Sequence, residues 1–280
     1  MLPTPVYSRT PRLASLAGVF ALAAGVAADG PRPAWTVEQQ EQFLAGAEVV
    51  ASRPVVEGVT HTLRATLRAD GITHDAQIQQ VDISKPTHPT AKGWELNFRD
   101  YWGYNVAAYR LSRLLNLDRV PVSVRREVAR KPAAVTWWID DVLMTEKTRF
   151  RSKIKPPDVT AWNRQMYTVR VFDQLIRNTD RNLANLVITR DWKIWMIDHT
   201  RAFRVHNDLE NPKQLEMCER GLLEALRKLD RMSLSRELGA YLEGYEIDAV
   251  LARRDKVVEH FDRQIAERGQ EAVLFDGAEP

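Results

Sequence analysis

The stretch Arg177–Phe203 reads RNTDRNLANLVITRDWKIWMIDHTRAF and carries the residues best suited to chemistry. Asp180 lies in a polar turn after an apolar, helix-like run. Asn185 opens a short strand five positions later, and Asp198 closes a second strand beyond Arg190-Asp191. That order of residue types suits phosphoryl transfer. An aspartate in the turn accepts or orients the proton of an attacking hydroxyl. An asparagine amide oxygen and a second carboxylate are hard donors for Mg²⁺ or Mn²⁺, which bridges the phosphates of a nucleotide. A hairpin returns its ends to one another, so Asn185 and Asp198 can share one metal. Taken singly, Asp180 also suits a helix C-terminal turn and Asn185 an ordinary loop amide; the weight falls on the combination.

Elements of definite type must position these groups. Thr160–Arg177 places Trp162, Met166, Val169, Phe172, Leu175 and Ile176 on one helical face, and Leu186–Thr189 with Lys193–Ile197 reads as a hairpin. Upstream, Trp35–Val50 reads as a short helix. The run TLRATLRADGITHDAQIQQVDI alternates on both sides of Ala69-Asp70-Gly71, a hairpin signal. Lys85–Lys92 reads as a loop, Asp100–Leu117 as a helix, and Ser123–Val128 and Ala133–Val142 as strands. Three helical stretches follow the motif: Pro212–Leu229, Ser233–Leu242 and Ile247–Glu267, with Arg253–Arg268 reading as a solvated face. Strands with one helix, then helices, make an α+β pattern.

Composition excludes several classes. The 280 residues are 44% hydrophobic and 28% charged, which is ordinary for a globular chain. A single cysteine, Cys218, rules out an internal disulfide framework and reads as a buried apolar residue. The six histidines show no metal-binding spacing, and a net charge of +3 is too small to imply a nucleic-acid partner. Arg9 and Arg12 precede the uncharged run Leu13–Ala28, which ends in Val26-Ala27-Ala28. This is the layout of a secretory signal peptide over residues 1–28, so the chain is expected to be exported, with no membrane span left after removal. An uncleaved anchor and a buried N-terminal helix are the competing readings. Without these residues and their two arginines the net charge falls to +1.

The motif NTDRNLAN…IWMIDHTRAF resembles the NTDR…N…IDNG-AF signature of type II phosphatidylinositol 4-kinases. It is also similar to the HipA-like bacterial kinases and the secreted Golgi casein kinases. AAYRLSRLLNLDRVPVSV (Ala107–Val124) is similar to the N-lobe helix and strand of the last two families. The resemblance implies a two-lobed, kinase-like α+β fold. Residues 29–142 would form a β-rich N-lobe, and 143–280 a helical C-lobe carrying the catalytic-loop hairpin at 178–203. It implies Asp180 as the catalytic-loop base, Asn185 and Asp198 as metal ligands, Arg181 as a loop brace paired with a carboxylate, and Phe203 as a packing residue. It further implies ATP with Mg²⁺ or Mn²⁺, and a protein, lipid or small-molecule acceptor.

The chain departs from these families at defined places. Their strand lysine, which grips the nucleotide phosphates, is held by a glutamate on the N-lobe helix. Here DAQIQQVD (Asp75–Asp82) has no lysine: Gln79 takes its place, and Asn105 takes the place of the glutamate. Two neutral amides able to hydrogen-bond thus face the nucleotide site, and Lys85 or Arg64 is the candidate substitute cation. The glycine after the metal aspartate is replaced in Asp198-His199-Thr200, where His199 reads as a solvent-facing or packing residue. Glu57-Gly58-Val59-Thr60 is the only phosphate-loop candidate. Trp137-Trp138 suits either a hinge lining the nucleotide cleft or sheet packing. Three functions remain open: a metal-dependent phosphoryl or nucleotidyl transferase, a pseudokinase that binds without turnover, and an unrelated extracellular binding protein.

Overall fold

Thr36 starts the first helix by accepting the Gln39 N–H at 3.2 Å while Gln39 Oε1 accepts the Thr36 N–H at 2.8 Å. The computed structural model describes residues 35–55, 62–90 and 93–277; the leader-like residues and Glu57–Thr60 lie outside the described residues. Helix α1 (Val37–Gly46) buries Phe43 and Leu44. It does not run on to Val50, because the backbone turns extended at Ala47 and enters strand β1 (Glu48–Pro54). Strands β2 (Leu63–Ala69) and β3 (Ile72–Gln79) form the hairpin expected from Asp70-Gly71. Both turn residues have positive φ, +50° and +77°, as a type I′ turn requires.

The segment expected to be a loop is instead strand β4 (Asp82–Thr90), paired antiparallel with β5 (Gly93–Tyr101) in a separate two-stranded ribbon. Pro86 and Pro89 interrupt the alternation that marks a strand. They are tolerated because each strand of a two-stranded ribbon has an unpaired edge, where a missing N–H costs nothing. Helix α2 (Gly103–Leu114) follows, then β6 (Ser123–Val128) and β7 (Lys131–Trp137). The main sheet is antiparallel in the order β1-β2-β3-β7-β6. Trp137 packs among the rings of Trp35, Phe43 and His74, and Trp138 lies under the Arg64 guanidinium, so both serve sheet packing.

Strand β8 (Val142–Thr145) and helix α3 (Glu146–Arg151) lead to α4 (Val159–Ile176). Asp158 caps α4 by accepting the Ala161 N–H at 2.9 Å, and Arg177 ends it with a left-handed φ of +49°. Strands β9 (Leu186–Thr189) and β10 (Ile194–Met196) complete a three-stranded sheet ordered β10-β9-β8. The rest comprises β11 (Cys218–Glu219), α5 (Arg220–Lys228), α6 (Arg231–Leu238), α7 (Gly244–Arg268), α8 (Gln270–Val273) and β12 (Leu274–Phe275). Cys218 is fully buried. Among the described residues no helix is long and apolar enough to cross a membrane.

Helix α7 corrects the reading of Arg253–Arg268 as a solvated face. Ile247, Val250, Val257 and Phe261 form its buried stripe, and Arg253 lies within that stripe at 0% exposure. Its guanidinium donates to the carbonyls of Leu175 (2.7 Å), Arg204 (2.7 Å) and His206 (2.6 Å). Leu175 ends α4, where free carbonyls and the helix dipole favour a cation. Burial lowers the guanidinium to about 9, which leaves it charged at neutral pH. Arg253 therefore ties α7 to the end of α4 and to the segment after the motif. Arg253→Met keeps the stripe apolar but leaves three carbonyls without donors. It is expected to cost about 3 kcal/mol and lower the melting temperature by about 10 °C; differential scanning calorimetry checks this.

Candidate functional site

Asp173 on α4 fixes the loop after α4 through Arg181, whose Nε lies 2.9 Å from Asp173 Oδ2. Arg181 also donates from Nη1 to the carbonyls of Asn185 (3.0 Å) and Ile197 (2.8 Å). Its Nη2 lies 3.0 Å from His199 Nε2. One planar, five-donor group thus binds both ends of the β9–β10 hairpin to α4. The Ile197 N–H closes the same junction on the Asn185 carbonyl at 3.1 Å. His199 is buried rather than solvent-facing and meets Phe172 edge-on. Burial, with the Arg181 charge, holds the ring neutral, so Nε2 accepts and Nδ1 carries the proton.

The turn after α4 sets Asp180 and Asn185. The Asp180 N–H donates to Asn178 Oδ1 at 3.1 Å, and the Asp180 carbonyl accepts from Asn185 Nδ2 at 3.4 Å. With its nitrogen turned to that carbonyl, Asn185 keeps Oδ1 without a hydrogen-bond donor among the described residues. The Asp180 carboxylate is 44% exposed and therefore reachable by a ligand.

Asp198 has a left-handed φ of +56° and is held by neutral groups. Gln79 Nε2 and Thr200 Oγ1 donate to its Oδ1 at 3.2 Å and 3.3 Å. Gln79 Oε1 accepts from Asn105 Nδ2 at 2.5 Å, and Asn105 Oδ1 accepts the His199 N–H at 2.8 Å. Gln79 Nε2 also reaches Thr62 Oγ1 at 3.2 Å. The two amides therefore meet on β3 and α2, and between them join the main sheet, α2 and the turn at Asp198. Burial raises the Asp198 carboxyl above its ordinary range, and the charges of Asp100 and Asp180 add to the rise.

Neither expected substitute cation reaches this carboxylate. Arg64 is paired with Asp75 at 2.6 Å. Lys85 is exposed on β4 opposite Phe98 and lines a different cleft. The cation of the site is Arg201, which sequence reasoning missed. Its Nε lies 3.0 Å from Asp100 Oδ2 and its Nη1 lies 3.7 Å from Asp180 Oδ2. The Asp198 charge also acts on it. Asp100, at 2% exposure, is the second missed group, and its Oδ1 has no hydrogen bond in the structure. The available signal was an arginine three positions past Asp198, inside the motif itself. Asp100 is remote in sequence and enters only because the end of β5 docks on the motif, with the Tyr101 N–H on the Thr200 carbonyl at 2.9 Å.

No family model matches the chain, and no curated protein matches it. Solved structures do. Hydra Fam20, solved with a sugar, superposes with a TM-score of 0.67 at 13% identity, over 87% of this chain and 93% of that one. A Golgi casein kinase gives 0.61 at 14% identity, over 87% and 79%. The Helicobacter pylori proinflammatory kinase CtkA gives 0.52 at 11% identity, over 80% and 98%. The chain has an atypical kinase-like fold. Gln79 on β3 and Asn105 on α2 contact each other and the turn at Asp198-His199. A half-buried carboxylate that is partly desolvated and hydrogen-bonded only to neutral groups costs stability. Asp198→Asn, which keeps an oxygen for Gln79, is expected to stabilise the protein by about 1–3 kcal/mol and to raise its melting temperature in the absence of ligand. A lower melting temperature would contradict this account of the site.

Proposed function

We propose that the chain is a phosphotransferase that takes ATP with Mg²⁺ or Mn²⁺ and phosphorylates a hydroxyl-bearing acceptor. The observation that carries the reading is the Asp198 carboxylate, half-buried, hydrogen-bonded only to neutral donors and near two further carboxylates. Such a group gains most from a divalent cation. The donor set fits one: the Asp198 carboxylate and the Asn185 amide oxygen are hard donors, and nucleotide phosphates supply others. When bound, the metal would neutralise phosphate charge and orient the phosphates for displacement.

The chain's own residues supply the rest. Asp180, exposed beside the turn, accepts the acceptor's hydroxyl proton. Arg201 stands between Asp180 and Asp100 and gives the phosphates the positive charge that Gln79 cannot provide. Gln79 and Asn105 position Asp198. The structural neighbours named as kinases support a nucleotide. Export is part of the same proposal and rests on the residue pattern of positions 1–28. Cleavage there would leave Asp29 as the N-terminus, which N-terminal sequencing of the secreted protein reads directly.

A second reading, a pseudokinase, is favoured by one observation: the closed Gln79–Asn105 contact leaves no β3 cation. A thermal-shift titration with ATP and Mg²⁺ or Mn²⁺ tests nucleotide binding. Wild type is expected to shift upward and Asp198→Ala not to respond. No shift at millimolar ligand, or an equal shift in Asp198→Ala, overturns the nucleotide site. Transfer is read as phosphate incorporation. Asp180→Ala is expected to lower it by about 10²–10⁴-fold while keeping the thermal shift, and Arg201→Ala to weaken both. Nucleotide binding without any incorporation selects the pseudokinase.

A further inference from the structure

A cleft of about 720 Å³ opens alongside the Asp180 turn, between the β4–β5 ribbon and the start of α7. Thr179, next to Asp180, and Phe203, the last residue of the motif, line the side of it toward the Asp180 turn. Its volume suits a small ligand, and Leu96, Tyr104 and Tyr245 give it apolar surface.

Its charges are unevenly satisfied. The carboxylates are mostly engaged within the protein. Glu246 accepts from the Tyr104 hydroxyl and from the Glu243 N–H at 2.8 Å. Glu95 lies 2.7 Å from Arg204 Nε and Glu246 3.7 Å from Arg99 Nη1, which leaves Asp82 as the one carboxylate of the cleft without an ion pair among the described residues, against two such cations. Arg177 donates to the Asp208 carbonyl at 2.7 Å and is paired with no carboxylate among the described residues. Lys85 has no ion pair among the described residues. Arg204 is matched by Glu95, although its Nη2 has no hydrogen bond among the described residues. The unmatched charge of the cleft is therefore positive, and its Thr179 side adjoins the group proposed to take the acceptor's proton.

We infer that this cleft is the acceptor site, and that the acceptor is a small hydroxylated molecule bearing a carboxylate or phosphate group. The inference rests on the phosphotransferase reading. The anionic group lies toward Lys85 and Arg177, and the hydroxyl reaches Asp180. In the transfer, the acceptor oxygen bonds to the γ-phosphorus of ATP. The bond from that phosphorus to the β,γ-bridging oxygen breaks, ADP leaves, and the hydroxyl proton passes to the Asp180 carboxylate. A free anion and an acidic peptide share the charge but not the size, and the bounded cleft favours the small molecule.

Isothermal titration of the full chain with glucuronate, glucose 6-phosphate, glucose and an acidic serine-containing peptide tests this, with the ATP–Mg²⁺ thermal shift run on every variant. At least one of the two anionic sugars is expected to bind ten-fold or more tighter than glucose. Which of them does so identifies carboxylate or phosphate as the preferred group. Lys85→Glu with Arg177→Glu is expected to abolish that preference while the ATP–Mg²⁺ shift is kept. Equal affinity for charged and neutral sugars, a preference that survives the double reversal, or tight binding of the peptide alone overturns the inference. Absence of the ATP–Mg²⁺ shift in wild type overturns the phosphotransferase reading instead, so the two failures are told apart.

Discussion

A half-buried carboxylate whose hydrogen bonds come only from neutral groups is the constraint around which the site is arranged. Asp198 sits in a left-handed turn and takes its hydrogen bonds from Gln79 and Thr200, both neutral. Unpaired buried charge is expensive, so every nearby donor has to be aimed. Gln79 is aimed because Asn105 fixes its oxygen, and Asn105 is aimed because it also receives the His199 N–H. The same chain of contacts spans β3, α2 and the motif turn. The two halves of the fold are thus held in register by the groups that make Asp198 tolerable. On the far side, Arg181 holds the hairpin ends to α4, and neutral His199 completes its coordination.

Replacing an ion pair by two amides changes fold and site by different amounts. A buried ion pair repays little more than its own desolvation, and a hydrogen bond between amides contributes about 1 kcal/mol. On the proposed kinase reading, in which Gln79 and Asn105 stand where a lysine and a glutamate would, the fold therefore loses little. The field at Asp198 changes far more, because in a low-dielectric cleft a single positive charge near anions is a term of several kcal/mol. Desolvation, with the charges of Asp100 and Asp180, holds the Asp198 carboxyl above its ordinary range.

What could be read from the sequence follows from which signals are local. The Asp70-Gly71 hairpin, the apolar face of α4 and the spacing of Asp180, Asn185 and Asp198 depend on neighbours along the chain. The neutral pair was also legible, since Gln79 and Asn105 occupy positions where a charge is expected. The β4–β5 ribbon was hidden because Pro86 and Pro89 break the alternation, although an unpaired edge accepts them. Arg253 was misread because an arginine among charged residues looks solvated; its three carbonyl partners come from segments 47 to 78 positions away. Arg201 and Asp100 were missed for the same reason, their contact spanning 101 positions.

The relocation of the cation has a mechanical consequence on the proposed reading. A lysine on β3 reaches the phosphates only when the N-terminal sheet is correctly placed over the C-terminal part. Arg201 stands three residues from Asp198, on the same turn, and contacts Asp180 on the neighbouring loop. Its distance from both is therefore set within the C-terminal part. Its other anchor, Asp100, ends the β4–β5 ribbon, which also walls the cleft proposed for the acceptor. A displacement of the ribbon on acceptor binding would act on Arg201 through Asp100, and through Arg201 on Asp180. Phosphate grip would then depend on the ribbon and the acceptor cleft more than on closure of the N-terminal sheet.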